Sequence, residues 1–163
     1  MYSKYSSSLA FAFLCVLSIC ISRPLYGALA NDPCSLLAQS QVSTALGTSV
    51  EAAQHIASKL CQWSAPNQPN SMNGKKVTLT ISEERAFGYA KTPIVSTVKT
   101  LPASGICDDA VYTVSPGVTP GLGTSLYVKK GSSYIVLHVY GFPDQSTAMG
   151  MEKTLAIQAC SNL

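Results

Sequence analysis

The side chains of this chain that could do chemistry are few, and their spacing argues against catalysis. His55 and His138 are its two histidines. A nucleophilic serine needs a histidine base and an acid to orient that base. No G-x-S-x-G elbow is present to offer the serine. Gly121-Leu122-Gly123-Thr124-Ser125 has the glycines of a phosphate loop but not its Gly-Lys-Ser/Thr ending, so it reads as a loop between strands. Asp108-Asp109 and Glu83-Glu84 are the paired carboxylates. Neighbours on a strand point to opposite faces, so neither pair makes an acid/base couple. Asp108 reads instead as an acceptor for backbone amides in the turn before a strand. No catalytic residue, cofactor or metal ligand follows, since no C-x-x-C pair and no Cys/His cluster has the spacing of a zinc site.

The chemistry that the sequence does support is oxidative. Of its six cysteines, Cys15 and Cys20 fall in an N-terminal leader and Cys34, Cys61, Cys107 and Cys160 do not. Four cysteines in an exported chain form two disulfides, in one of three connectivities. The leader is residues 1–30. Lys4 opens it, Leu9–Ile21 is apolar apart from Ser18, and Arg23-Pro24 ends the run. That length suits a signal peptide and falls short of the roughly 20 apolar residues of a membrane span. Ala28-Leu29-Ala30 supplies the small-x-small cleavage pattern, which predicts Asn31 as the mature N-terminus. Leu17-Ser18-Ile19-Cys20 is the weaker, lipid-anchored alternative, because Ile19 stands where a lipobox carries a small residue.

Residues 31–163 have the length of one domain. The whole chain carries a net charge of +3, which falls to about +1 without Lys4 and Arg23. No basic patch remains for nucleic acid and no second stretch could span a membrane.

The elements that position these residues alternate between helical and strand patterns. Val42, Ala45 and Leu46 after Ser40 predict a helix ending at Gly47, and a strand is expected near Ser49–Ala53. Cys61 and Trp63 share a face of the next strand. Pro66–Gly74 reads as a polar loop. Lys76–Ser82 alternates as a half-buried antiparallel strand, and Glu83–Lys91 is helical. Strands follow around Val95–Leu101 and Asp109–Val114, then a Pro/Gly loop at Pro116–Gly123. Ser125–Lys129 and Ser133–Tyr140 form a hairpin turning at Lys130-Gly131. Asp144 or Ser146 caps a last helix with Ala148, Met151, Leu155, Ala159 and Leu163 as its core stripe. The expected fold is α+β, an antiparallel sheet with helices packed on one face.

On the hairpin, Ile135, Leu137 and Val139 face one way with Leu126 and Val128. Tyr134, Val136, His138 and Tyr140 face the other, with Tyr127 beside them. Tyr127, Tyr134, His138 and Tyr140 are therefore the candidate binding residues, because tyrosine gives large contact area at low entropy cost. The competing reading is an ordinary outer sheet face, where tyrosine has high strand propensity.

Three stretches carry a family resemblance. They are Asp32-Pro33-Cys34-x-Leu36-Leu37 running to Ala45-Leu46-Gly47, then Cys61-x-Trp63, then Gly105-x-x-Asp108-x-Ala110-x-Tyr112 with Leu126-Tyr127-Val128-Lys129-Lys130-Gly131. In order and spacing they resemble a group of bacterial exported proteins and lipoproteins without an agreed activity. The resemblance implies a small α+β sandwich similar to the extrinsic oxygen-evolving-complex type, an envelope location and a Cys34–Cys61 bridge. The chain departs from that pattern at Cys107, where glycine is usual, and at Cys160, where a small apolar residue is usual. Both departures are to cysteine, which suggests a Cys107–Cys160 bridge. The function expected is a non-catalytic module binding an envelope protein, a glycan or a small apolar ligand. The alternative is an enzyme or accessory factor whose pocket gathers two or more of His55, His138, Asp108, Asp109 and Glu84.

Overall fold

A computed structural model describes residues 32–67, 74–115 and 123–163. The leader, its cleavage motif and Cys20 lie outside the described residues, as do most of the Pro66–Gly74 and Pro116–Gly123 loops.

A 3-10 turn at Pro33–Ser35 opens the fold, and the Asp32 side chain caps it by accepting the Cys34 N–H at 2.8 Å. Helix α1 (Gln39–Leu46) starts one residue before the expected Ser40 cap, because Gln41 Oε1 reaches back to the Ala38 N–H at 2.7 Å. It stops at Gly47, whose φ of 63° lets Thr48 N–H close onto the Ser43 carbonyl. The strand expected at 49–53 lies later, as β1 (Gln54–Ala57), a short and exposed edge turning tightly into β2 (Leu60–Ser64).

The remaining elements are β3 (Lys76–Ser82), α2 (Glu84–Lys91), β4 (Lys99–Pro102), β5 (Asp109–Val114), β6 (Thr124–Lys130), β7 (Ser133–Tyr140) and α3 (Gln145–Cys160). The seven strands among the described residues form one antiparallel sheet in the order β1-β2-β3-β7-β6-β5-β4. The fold is α+β. No helix among the described residues is long and apolar enough to cross a membrane.

The inner face holds the main core. Trp63, Val77, Leu79, Leu126, Val128, Ile135, Leu137 and Val139 pack there against Leu36, Val42 and Leu46 and against Ala148, Leu155, Ala156 and Ala159 of α3. Two disulfides join this layer, Cys34–Cys61 and Cys107–Cys160. Each ties a sheet or loop cysteine to a segment packed over the inner face. The layering is finer than a single helix-bearing face. The 3-10 turn, α1 and α3 lie inside, whereas α2 crosses the outer face and buries Phe87 and Ala90 against Val111 and Tyr134.

Glu152 of α3 is fully buried in the inner layer. Its Oε1 accepts the Thr124 hydroxyl and the Val139 N–H, each at 3.2 Å, while Oε2 has no partner among the described residues. Burial pushes its carboxyl up to about 8, against the pull of those two hydrogen bonds.

Candidate functional site

The outer face of β5, β6 and β7 carries all four candidate binding residues, as the alternation expected. Register sets Tyr127 opposite Val136 and Val111, and the outward row of β7 runs Tyr134, Val136, His138, Tyr140. Their surroundings differ. Tyr134 is only 8% exposed, under the Phe87 ring of α2 and beside Lys129 Nζ. It is a packing residue, which corrects its assignment to a surface contact. Tyr127 is half-buried at the edge of the same cluster. His138 and Tyr140 lie beyond α2, half-buried and stacked at 5.9 Å, with Lys76 Nζ 5.0 Å from the centre of the Tyr140 ring.

Between α2, the segment that follows it and the sheet runs a groove of about 500 Å³. Its floor is Thr113 and Ser115 of the β5 side with Ser125 and Tyr127 of β6, so hydroxyls line it. Its wall is Tyr89, Pro93, Ile94, Val95 and Val98. Ile94 is 85% exposed and Val95 58%. The wall is held in place by polar ties to the sheet. Thr100 Oγ1 donates to the Ala90 carbonyl at 2.7 Å, and Lys91 pairs with Asp109 at 2.7 Å.

His138 stands behind the floor. Its Nδ1 shares a 3.1 Å hydrogen bond with Ser125 Oγ across the β6–β7 ladder. Burial pulls its pKa below the ordinary histidine value, partly opposed by the Thr124 backbone, so the ring is neutral at pH 7. Burial likewise raises the Tyr127 and Tyr140 hydroxyls, so both are protonated donors.

The other polar residues singled out by sequence have structural partners. Asp108 Oδ2 accepts the Gly131 N–H at 2.6 Å, so it holds the β6–β7 turn rather than the turn before its own strand. Glu83 pairs with Lys59, and His55 Nε2 lies 3.5 Å from Asp32 Oδ1 on the far edge of the sheet. Of His55, His138, Asp108, Asp109 and Glu84, none lines the groove. The groove wall escaped the sequence reading. Its only signal was Ile94-Val95 directly after Pro93, an apolar pair with no periodic partner.

Compared with protein-family models, with characterised proteins and with solved structures, the chain matches none.

Proposed function

We propose that this chain is an exported, non-catalytic binding domain of the bacterial cell envelope, and that the outer-face groove is its ligand site. One observation carries the reading: a concave surface of ligand size, with an apolar wall exposed to solvent and a floor of hydroxyls. Small-molecule sites have this make-up, apolar lining with a few placed polar groups in roughly 300–1,000 Å³. The ligand it suits is small and amphipathic. Its apolar body covers Ile94, Val95 and Val98, and its hydroxyl or amide groups meet Thr113, Ser115, Ser125 and Tyr127. The two disulfides and the leader support export.

The test is binding of 8-anilinonaphthalene-1-sulfonate, an apolar ring body with one polar end, followed by fluorescence. Ile94→Ser with Val95→Ser should weaken binding at least about tenfold, the effect of losing roughly 1.4 kcal/mol. Melting should hardly change, because both side chains are exposed. Equal binding by wild type and variant would remove the groove from consideration. N-terminal sequencing tests export, with Asn31 expected and a lipid-modified Cys20 contradicting cleavage after Ala30.

A second reading has one specific observation behind it, the Ser125–His138 pair beside the groove. A neutral imidazole can accept a serine proton during acyl transfer. No carboxylate forms an ion pair with His138 among the described residues, so the acid that completes a triad is missing there. A fluorophosphonate that labels Ser125 in wild type but not in His138→Ala would establish this reading over binding alone.

A further inference from the structure

Three metal-ligating groups meet at one place in the fold, and a fourth is joined to one of them through a disulfide. Asp32, Cys34 and His55 each present one ligand atom, all within 4.8 Å of one another. Asp32 Oδ1 and His55 Nε2 are 3.5 Å apart. Cys61 is the fourth. It stands opposite His55 in the β1–β2 ladder, and its sulfur is bonded to that of Cys34. We propose that the Cys34–Cys61 disulfide masks a zinc site, which its reduction opens: two thiolates, the His55 imidazole and the Asp32 carboxylate then hold one tetrahedral Zn²⁺.

The donor set has the composition zinc selects. Sulfur, nitrogen and one carboxylate oxygen bind at about 2.0–2.3 Å, which places neighbouring donors roughly 3.3–3.8 Å apart on a tetrahedron. Asp32 and His55 already have that separation. In the disulfide both sulfurs are committed to each other, so the oxidised site offers only two donors. Reduction lets them part to the tetrahedral spacing. The two sides of the site also differ in access. The Asp32 and His55 side chains are about half exposed, whereas Cys61 is fully buried beside Trp63. An ion can enter from solvent and finish against the core. Asp32 is positioned in advance by the Cys34 N–H bonded to its Oδ1.

The chemistry balances with a dithiol reductant. Two electrons and two protons from the dithiol convert the disulfide to two thiols, and the dithiol becomes a disulfide. Zn²⁺ then displaces both thiol protons to solvent. Each ion taken up thus releases the two thiol protons.

The test uses the purified protein with a phosphine reductant, which leaves no competing thiol, and Co²⁺ as a visible stand-in for Zn²⁺. Reduced protein should bind one Co²⁺ with tetrahedral ligand-field bands and thiolate-to-metal charge transfer, and oxidised protein none. Zn²⁺ should erase the spectrum and release two protons per ion. His55→Ala and Asp32→Asn should each weaken Co²⁺ by more than about tenfold, at least the loss seen on removing an outer-shell partner. The same Co²⁺ affinity in both variants would assign the metal to Cys107 and Cys160 and overturn the proposal. So would a reduced protein that keeps its sheet circular dichroism and takes up no Co²⁺. If reduction unfolds the chain, Zn²⁺ should restore the sheet signal in wild type and not in His55→Ala. Failure to restore it would also sink the proposal.

Discussion

The rings of Phe87 and Tyr134 meet with centroids 5.7 Å apart and planes tilted by 49°. This contact fixes α2 on the outer face, and α2 in turn makes one wall of the groove. Tyr134→Ala should therefore destabilise by about 3 kcal/mol, as for other truncated buried aromatics. Tyr140→Ser lies beyond the helix and should cost less than about 1 kcal/mol. Urea titration of both variants measures this. A Tyr134→Ala midpoint equal to wild type would mean that α2 does not pack as described.

Glu152 sets a pH dependence. Its folded pKa stands near 8, well above that of an unfolded glutamate. Between those two values the unfolded state has released a proton that the folded state keeps. Stability therefore falls as pH rises from about 4.5 to about 8, with a slope of up to roughly 1.4 kcal/mol per pH unit, and levels off above. Glu152→Gln cannot ionise and should flatten the curve, so it gains on wild type as pH rises. Melting temperatures at pH 5, 6, 7 and 8 test the sign. Parallel curves for the two proteins would show that Glu152 is already charged in the fold.

Two glycines should respond in opposite directions. Gly150 lies within α3, where an added Cβ meets no atom within 4 Å. Gly150→Ala should stabilise by about 1 kcal/mol through helix propensity. Gly141 has φ 83°, and a Cβ there would sit 2.7 Å from Lys75 N and 2.8 Å from the Gly74 carbonyl. Both are backbone and cannot swing away. Gly141→Ala should cost at least about 2 kcal/mol. Thermal melts decide both signs, and a stabilised Gly141→Ala would show that the β3 entry does not run against this turn.

Where one face of a strand is buried, the sequence was legible. Val77, Leu79 and Ile81 were placed by period-two alternation, and register pairs them with Val139, Leu137 and Ile135. The hairpin faces were legible for the same reason. Which of two faces a helix will cover was not. Tyr134 and Tyr140 have the same alternation and the same chemistry, and only α2, arriving from the far end of β3, separates them. Glu152 was missed because a charged residue reads as surface, although it lies four residues after Ala148 on the same helical face. The groove was missed because its parts are distant in sequence and joined only by the sheet.

Cys107 has φ 45°, a left-handed conformation that costs an L-residue about 1–2 kcal/mol and glycine little. A cysteine is tolerable at that backbone because the bridge to Cys160 closes a segment of 53 residues, a constraint of about 4 kcal/mol on the unfolded chain. The two contributions separate by substitution. Cys107→Ala with Cys160→Ala loses the bridge and keeps the strain, so it should lose about 4 kcal/mol. Cys107→Gly with Cys160→Ala loses the bridge and relieves the strain. It should recover about 1 kcal/mol of that loss, the relief at this φ exceeding the extra freedom of an unfolded glycine. Urea unfolding of the two double variants gives the difference directly. If the alanine version is as stable as the glycine version, Cys107 does not hold this backbone once the bridge is gone. The positive φ then follows from the disulfide and is not a demand of the loop.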